Sequence, residues 1–317
     1  MDSRINLWGR FRRYWLGKKR IGYLFIFPSV FILFVFTIIP LISSFFISFT
    51  NLDIFLGQPD FTGIENFVRS ITDERVINAF KNTFIYVVIS IPIQMILALV
   101  LAYWLSGESK FCKLCRSVYY IPVLCSFTAI GILFSLMMNS TVGFIPYIIS
   151  LFNGGQAVAL LDDPHWAMPI IIFISVWKQF GKTLIILVAG INDIPQTYFE
   201  ASTIDGASKR QQFFSVMLPL LMPSINFTLL TNIIAAFQVF DVVYVTTGGG
   251  PLFKTETIVQ YIYQRGFSPS YELGYASALS VELFVIIAIV VFIFKGIIDK
   301  KSVIPMTKII GIIRLQI

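Results

Sequence analysis

The sequence predicts an all-α, polytopic membrane protein with six transmembrane helices, and three observations carry that expectation. Apolar residues fill 56% of 317 positions, mean hydropathy is +0.81, and Phe alone occurs 32 times. Charged residues make up 13%, against roughly 25% in an ordinary soluble domain, so the surplus apolar surface has to face lipid. Six segments reach the roughly 20 mostly apolar residues that cross about 30 Å of hydrocarbon. Lipid offers no partner to a backbone amide, so each of these segments is expected to be a helix.

The first span, 22–49, follows a basic block formed by Arg10, Arg12, Arg13, Lys18, Lys19 and Arg20. Such a start superficially resembles a secretory signal. Its apolar run, however, is much longer than the roughly 7–15 residues of a signal core, and no small-residue cleavage site follows it, so it reads as an uncleaved span. The second and third spans are expected at 82–106 and 118–138, the fourth at 167–190, the fifth at 224–246 and the sixth at 276–298. Pro28, Pro40, Pro92 and Pro122 lie inside or at the ends of these runs and are expected to kink or cap them. The helical period is weak because the helices are apolar nearly all round.

Orientation follows from where the cations sit. With the N-terminus in the cytoplasm, segments 1–21, 107–117, 191–223 and 295–317 hold 17 of the 24 Lys and Arg residues. The outer loops, 50–81, 139–166 and 247–275, hold Arg69, Arg75, Lys81, Lys254 and Arg265 and are richer in acids. This is the positive-inside pattern. It organises the chain as a basic cytoplasmic N-terminus (1–21), a six-helix membrane domain (22–298) with a cytoplasmic loop at 191–223, and a basic cytoplasmic tail (299–317). The tail is apolar as well as basic, and either an interfacial or a disordered state suits it. Net charge is +7, but the basic residues form blocks beside apolar runs, which fits topology and no nucleic-acid face.

The loop at 191–223 is the most polar stretch inside the membrane domain. Pro195 stands before a possible helix from Thr197, and Gly206 stands near its end, the punctuation helices prefer. Glu200 and Ile204 are i and i+4, placing an acid and an apolar knob on one face. Ala201, Gly206 and Ala207 allow close approach. Lys209 and Arg210 begin a second helix, and Phe213, Phe214, Val216 and Met217 give it an apolar face before Pro219 and Pro223 turn the chain into the fifth span.

The order Glu200-Ala201-Ser202, Asp205-Gly206-Ala207, then Leu218-Pro219 resembles the cytoplasmic signature loop of permease subunits of bacterial binding-protein-dependent ABC importers. Ser202 stands where the family often has alanine, with the spacing intact. A second stretch agrees: Phe240-Asp241, then Thr247-Gly248-Gly249-Gly250-Pro251, Thr255-Glu256-Thr257 and Gly274-Tyr275-Ala276-Ser277-Ala278 are similar to the sugar-type permeases of the maltose-F and glycerol-phosphate-A class. The resemblance covers nearly the whole chain and implies the type I importer permease fold in a bacterial cytoplasmic membrane. It implies that a separate ATPase docks on Glu200, Ala201, Ile204, Asp205 and Gly206. Gly248, Gly249, Gly250 and Pro251 would form a loop near the external mouth. The implied partners are a second homologous permease subunit, two ATP-binding subunits and an extracytoplasmic solute-binding protein, and the implied solute is a carbohydrate. ATP and Mg would be bound by the partner ATPase, leaving this chain with no cofactor and no catalysis of its own.

Gly181-Lys182-Thr183 matches the end of a phosphate-binding loop, but Val176 occupies the required earlier glycine position and the triplet lies in an apolar span. Cys112 and Cys115 have the spacing of half a zinc or redox site, with no second pair; the lone His165 is expected on the opposite side of the membrane, so no metal site is expected.

Lys178 and Lys182 lie in the middle of the fourth span, four residues apart and so on one face. A charge there costs about 2.5 kcal/mol or more on insertion scales, which demands a polar cavity or a partner. Glu282 in the sixth span is a candidate counter-ion, as is Asp241. Two readings stay open: the lysines line a solute path and favour an acidic sugar, or they pair with Glu282 or another subunit and hold helices together. Asn232 and Gln238 can bond sugar hydroxyls, though six residues apart on one helix they lie about 120° around it and cannot share a narrow channel. Trp177, Phe237 and Tyr244 are candidates for stacking on sugar rings. Rival functions are an ion-coupled secondary transporter using Lys178 and Glu282 as a relay, and a non-transporting membrane sensor; two interrupted halves with midplane acids would mark the first.

Overall fold

The computed structural model describes residues 18–314 apart from 54, 56–58, 153, 157, 268 and 269, with side chains described from 22 to 296. The basic block at 1–17 lies outside the described residues, as do 315–317 and the side chains of the tail.

The first span is α1 (Lys18–Leu33) continued through a π turn (Phe34–Ile38) into α2 (Ile39–Ile47). Pro40 has no N–H to give to the preceding turn, and the ladder widens just ahead of it. A short amphipathic α3 (Glu65–Thr72) precedes α4 (Glu74–Leu105), which Asp73 caps by accepting from the Arg75 amide at 3.0 Å. The second span thus begins eight residues before the apolar run at 82, because its first turns pack on protein.

The third span is not one helix. α5 (Lys110–Leu124) ends beyond Pro122, the Cys125–Ser126 step is extended, and α6 (Phe127–Met137) leaves at 91°. Ser126 caps α6 by accepting from the Ala129 amide. After α7 (Phe144–Phe152), the fourth span α8 (Ala167–Asn192) runs unbroken. The connecting segment holds α9 (Gln196–Ile204), then α10 (Lys209–Gln211), a π turn (Gln212–Met217) and α11 (Leu218–Leu220). A 64° bend at Leu221 leads into α12 (Met222–Phe237). The fifth span therefore stops at Phe237, nine residues short of expectation; α13 (Asp241–Thr246) is a separate short helix. α14 (Ile258–Phe267) lies within the loop expected at 247–275, and α15 (Leu273–Arg314) carries the sixth span. Four continuous helices and two bent pairs together supply six membrane-length units.

Two apolar clusters sit along the paired α4 and α8. One, toward the end that carries Glu256, gathers Val76, Ala79, Ile171, Ile174, Val243, Ile258 and Leu279. The other, toward Glu200, gathers Ala98, Ala102, Leu184, Leu187, Met217 and Leu221, with Cys112 and Cys115 packed on it. Lipid is as apolar as leucine, so these contacts rest on close packing more than on expulsion of water, and small residues let the backbones approach. Gly181 is one such place: a Cβ there would strike the Tyr119 carbonyl of α5.

A polar layer separates the clusters. Gln94 of α4 and Asn232 of α12 each donate to Thr183 Oγ1 of α8 at 3.0 Å, and all three are buried. At the Glu256 end a network joins α3, α4, α14 and α15. Arg75 grips Glu256 through Nη2 (2.6 Å) and Nε (3.3 Å), and Asp73 Oδ2 accepts from Tyr261 (2.6 Å) and Tyr275 (3.0 Å). Asn82 holds the Phe253 and Glu256 carbonyls, so the 248–257 loop is tied down onto α4.

Candidate functional site

The segment between α8 and α12 is built as two braced helices. Pro195 precedes α9 and cannot extend it backward. At its far end Gly206 takes φ +76°, a left-handed backbone that glycine adopts without a Cβ penalty, and Ala207 closes the turn by donating to the Ser202 carbonyl at 2.9 Å. Ser208 and Gln211 form a reciprocal capping box that starts α10. Gln212, 5% exposed, then donates to Thr203 Oγ1 (2.8 Å), Ser202 Oγ (3.1 Å) and the Phe199 carbonyl (3.4 Å).

These bonds lock α9 to the following turn. Ser202, the one departure from the resembled pattern, is buried and supplies part of the lock. Met217 and Leu221, each 1% exposed, anchor the segment in the second apolar cluster, and Phe213 meets Tyr103 of α4 edge-on at 5.1 Å. On the outside of the lock Glu200, Ala201, Ile204, Asp205 and Gly206 are exposed, Ile204 by 86%. An apolar knob left bare beside two carboxylates, on a helix braced from behind, can seat in a partner's groove and pass force to α12 through the bend at Leu221.

The mid-chain breaks form a second feature. The α5–α6 break and the α12–α13 break lie together: Phe127, Gln179, Gln238, Phe240 and Asp241 line one cavity of about 220 Å³. Gln238 is exposed and lies past the last turn of α12, so the angular separation expected from a continuous helix does not apply. Asn232, in contrast, points inward and spends its amide on Thr183 and on Met95 Sδ (3.6 Å).

The two lysines separate. Lys178 is buried, with its ammonium 4.2 Å from the Phe127 ring centre and 3.5 Å from the Val123 carbonyl; Lys182 is exposed. Glu282 pairs with neither. It accepts from Ser70 of α3, because the face of α15 that carries it packs toward α3 while α8 lies across the core. The expected Lys178–Glu282 ion pair is therefore absent among the described residues, and with it the proposed relay. Phe237 is 3% exposed and closed to any ring; Trp177 packs edge-on against Phe134 at 5.5 Å, and Tyr244 stacks with Phe240 at 5.1 Å.

At the opposite end Gly248 and Gly249 take positive φ, and Thr255 donates to the Gly250 carbonyl at 2.5 Å. This turn is a rigid part of the Glu256 network.

A helical bundle with two broken spans sharing a cavity lined in part by Gln179, Gln238 and Asp241, and an exposed braced helix at one end, has the architecture of a membrane transport permease. The chain belongs to the family of binding-protein-dependent transport system inner membrane components, which matches residues 72–303. It is 34% identical over 276 residues to the probable ABC transporter permease protein YesP of Bacillus subtilis, covering 86% of this chain and 88% of that one. It is 30% identical over 288 residues to the sulfoquinovosyl glycerol transport system permease protein SmoG of Agrobacterium fabrum, covering 90% and 93%. Its fold matches a chain of a bacterial alginate ABC transporter, solved with an alginate pentasaccharide-bound periplasmic protein, at a TM-score of 0.79 and 22% identity over 92% of this chain and 98% of that one. The protein is a permease subunit of the sugar-type ABC importers, with the type I permease fold.

Sequence reasoning passed over Gln94, Thr183 and Gln212. Thr183 and Gln94 carry no local signal, since only the packing brings them together. The Ser208-x-x-Gln211 capping box was readable from spacing alone.

Proposed function

We propose that this chain moves a carbohydrate across the bacterial cytoplasmic membrane by alternating access, with Glu200 on the cytoplasmic side and Glu256 outside, as the distribution of Lys and Arg supports. Both termini then lie in the cytoplasm. Two ATP-binding subunits grip α9, a binding protein delivers solute to the outer end, and a second homologous permease subunit completes the path. ATP and Mg stay with the ATPase. The observation that carries this reading is the lock on α9: Gln212 ties the helix that bears the exposed Glu200–Gly206 face to the π turn, which runs on through α11 into α12. A helix so braced transmits a push, whereas a loop would absorb it.

The test is co-isolation and stimulated turnover. The chain should copurify with an ATP-hydrolysing subunit, and solute-loaded binding protein should raise ATP hydrolysis. Replacing Glu200 by Arg should remove the ATPase from the complex and leave the bundle folded. Uptake that follows a proton gradient and ignores ATP would return the secondary transporter; co-isolation without solute-stimulated hydrolysis would return the sensor.

A further inference from the structure

Lys182, Ile185, Ala189 and Asn192 recur on α8 at three- and four-residue intervals, so they form one stripe running from mid-span to the Glu200 end. Facing the lower part of that stripe, α5 brings Lys113, Arg116, Ser117 and Tyr120. The two helices frame a groove of about 450 Å³ whose lining contains two cations and no carboxylate. Among the described residues neither Lys113, Arg116 nor Lys182 forms an ion pair; Arg116 gives one bond, to the Gly107 carbonyl at 3.3 Å. Glu108 and Asp193 are exposed and line a separate cavity beside α9.

The position of Lys182 decides what this face looks onto. It lies ten residues from the end of α8, about 15 Å at 1.5 Å per residue. A lysine stem does not span that distance to the headgroups, and an ammonium in hydrocarbon costs about 2.5–3.5 kcal/mol on insertion scales. The stripe that carries it therefore faces water or protein, and the groove that continues it shares that side. Lys178, one turn further up, is sealed against Phe127 and closes the stripe at mid-span.

We infer that this stripe and groove are the exit half of the solute path, and that the solute they take is an anionic glycan, whose acid groups pass from Lys182 to Arg116 and Lys113 on the way to the cytoplasm. The inference rests on the importer reading and adds the charge class of the cargo to it. The geometry suits such a cargo: cations set in succession on the two walls offer successive weak holds, whereas a single tight site would trap it.

The complete complex is placed in nanodiscs, which expose both faces, with Cys112, Cys115 and Cys125 replaced by Ala. Ala189→Cys is then probed with an anionic and a cationic methanethiosulfonate of similar size. The anionic reagent should react at least about tenfold faster, the focusing expected of a cleft lined by one sign of charge. Adding Lys113→Gln and Arg116→Gln should erase the preference. Three results overturn the inference: neither reagent reacts, the preference survives in the double variant, or it follows the anionic lipid content of the disc, which would mark a headgroup site. Stimulation of ATP hydrolysis by loaded binding protein, read on the same discs, reports on the importer itself. Its survival alongside any of the three results discards the exit path alone, and its loss in the unmodified complex discards the importer reading.

Discussion

Gly181-Lys182-Thr183 looks like the tail of a phosphate-binding loop, and each residue has a separate reason to be there. Gly181 lets α5 and α8 touch at the Tyr119 carbonyl, Lys182 faces out from mid-span, and Thr183 accepts from Gln94 and Asn232. Asp73 carries a comparable load at the other end. Burial acts to raise its pKa, but the hydrogen bonds from Tyr261, Tyr275 and the Arg75 and Val76 amides together outweigh it and hold the carboxyl below its ordinary value. A lowered native pKa means that Asp73 contributes stability above the unfolded value and loses it as pH falls through the native one. The unfolding temperature of the purified protein should therefore fall in acid, and Asp73→Asn should flatten that acid limb while lowering stability near neutrality. An unchanged acid limb in the variant would show that the Asp73 network does not hold this end together.

The bends set how the spans differ from smooth rods. Pro122 removes a donor near the end of α5, and Ser126 restarts the chain as α6; Leu221 does similar work between α11 and α12. Among the described residues, the Gln212 side chain is what hydrogen-bonds α9 to the π turn leading toward that second bend. Each of its bonds contributes about 0.5–1.5 kcal/mol net. Gln212→Leu keeps volume while removing them all, so it should leave the ATPase bound and lower solute uptake per ATP hydrolysed. Equal transport stoichiometry in this variant and the parent would show that the Gln212 bonds do not couple α9 to α12.

At the scale of the molecule, the two apolar clusters and the polar layer between them make a bundle with distinct ends. Lys254 lies in the loop tied to α4, and Lys209 opens α10 beside the braced helix. Single cysteines at these two positions, in a chain without Cys112, Cys115 and Cys125, should label from opposite sides of intact cells with an impermeant reagent: Lys254→Cys from outside, Lys209→Cys only after permeabilisation. Labelling of Lys209→Cys from outside would invert the topology on which the docking role proposed for Glu200 depends.

The sequence by itself determined the all-helical membrane class, the number of apolar runs and the helix bounded by Pro195 and Gly206, because these follow from composition, run length and local backbone preference. The family was legible too, since the Glu200 and Thr247 stretches keep their spacing in linear order. The fates of Lys178, Lys182, Asn232 and Glu282 were decided by tertiary structure alone. Side-chain partners depend on which faces meet: Ser70 lies 212 residues from Glu282 in sequence, Thr183 lies 49 from Asn232, and no periodicity along one helix reports on its neighbour. The fifth span likewise ended early for a reason outside its hydropathy: residues 238–246 are apolar enough to continue, but α13 packs on α6 instead, and that contact overrides the local preference.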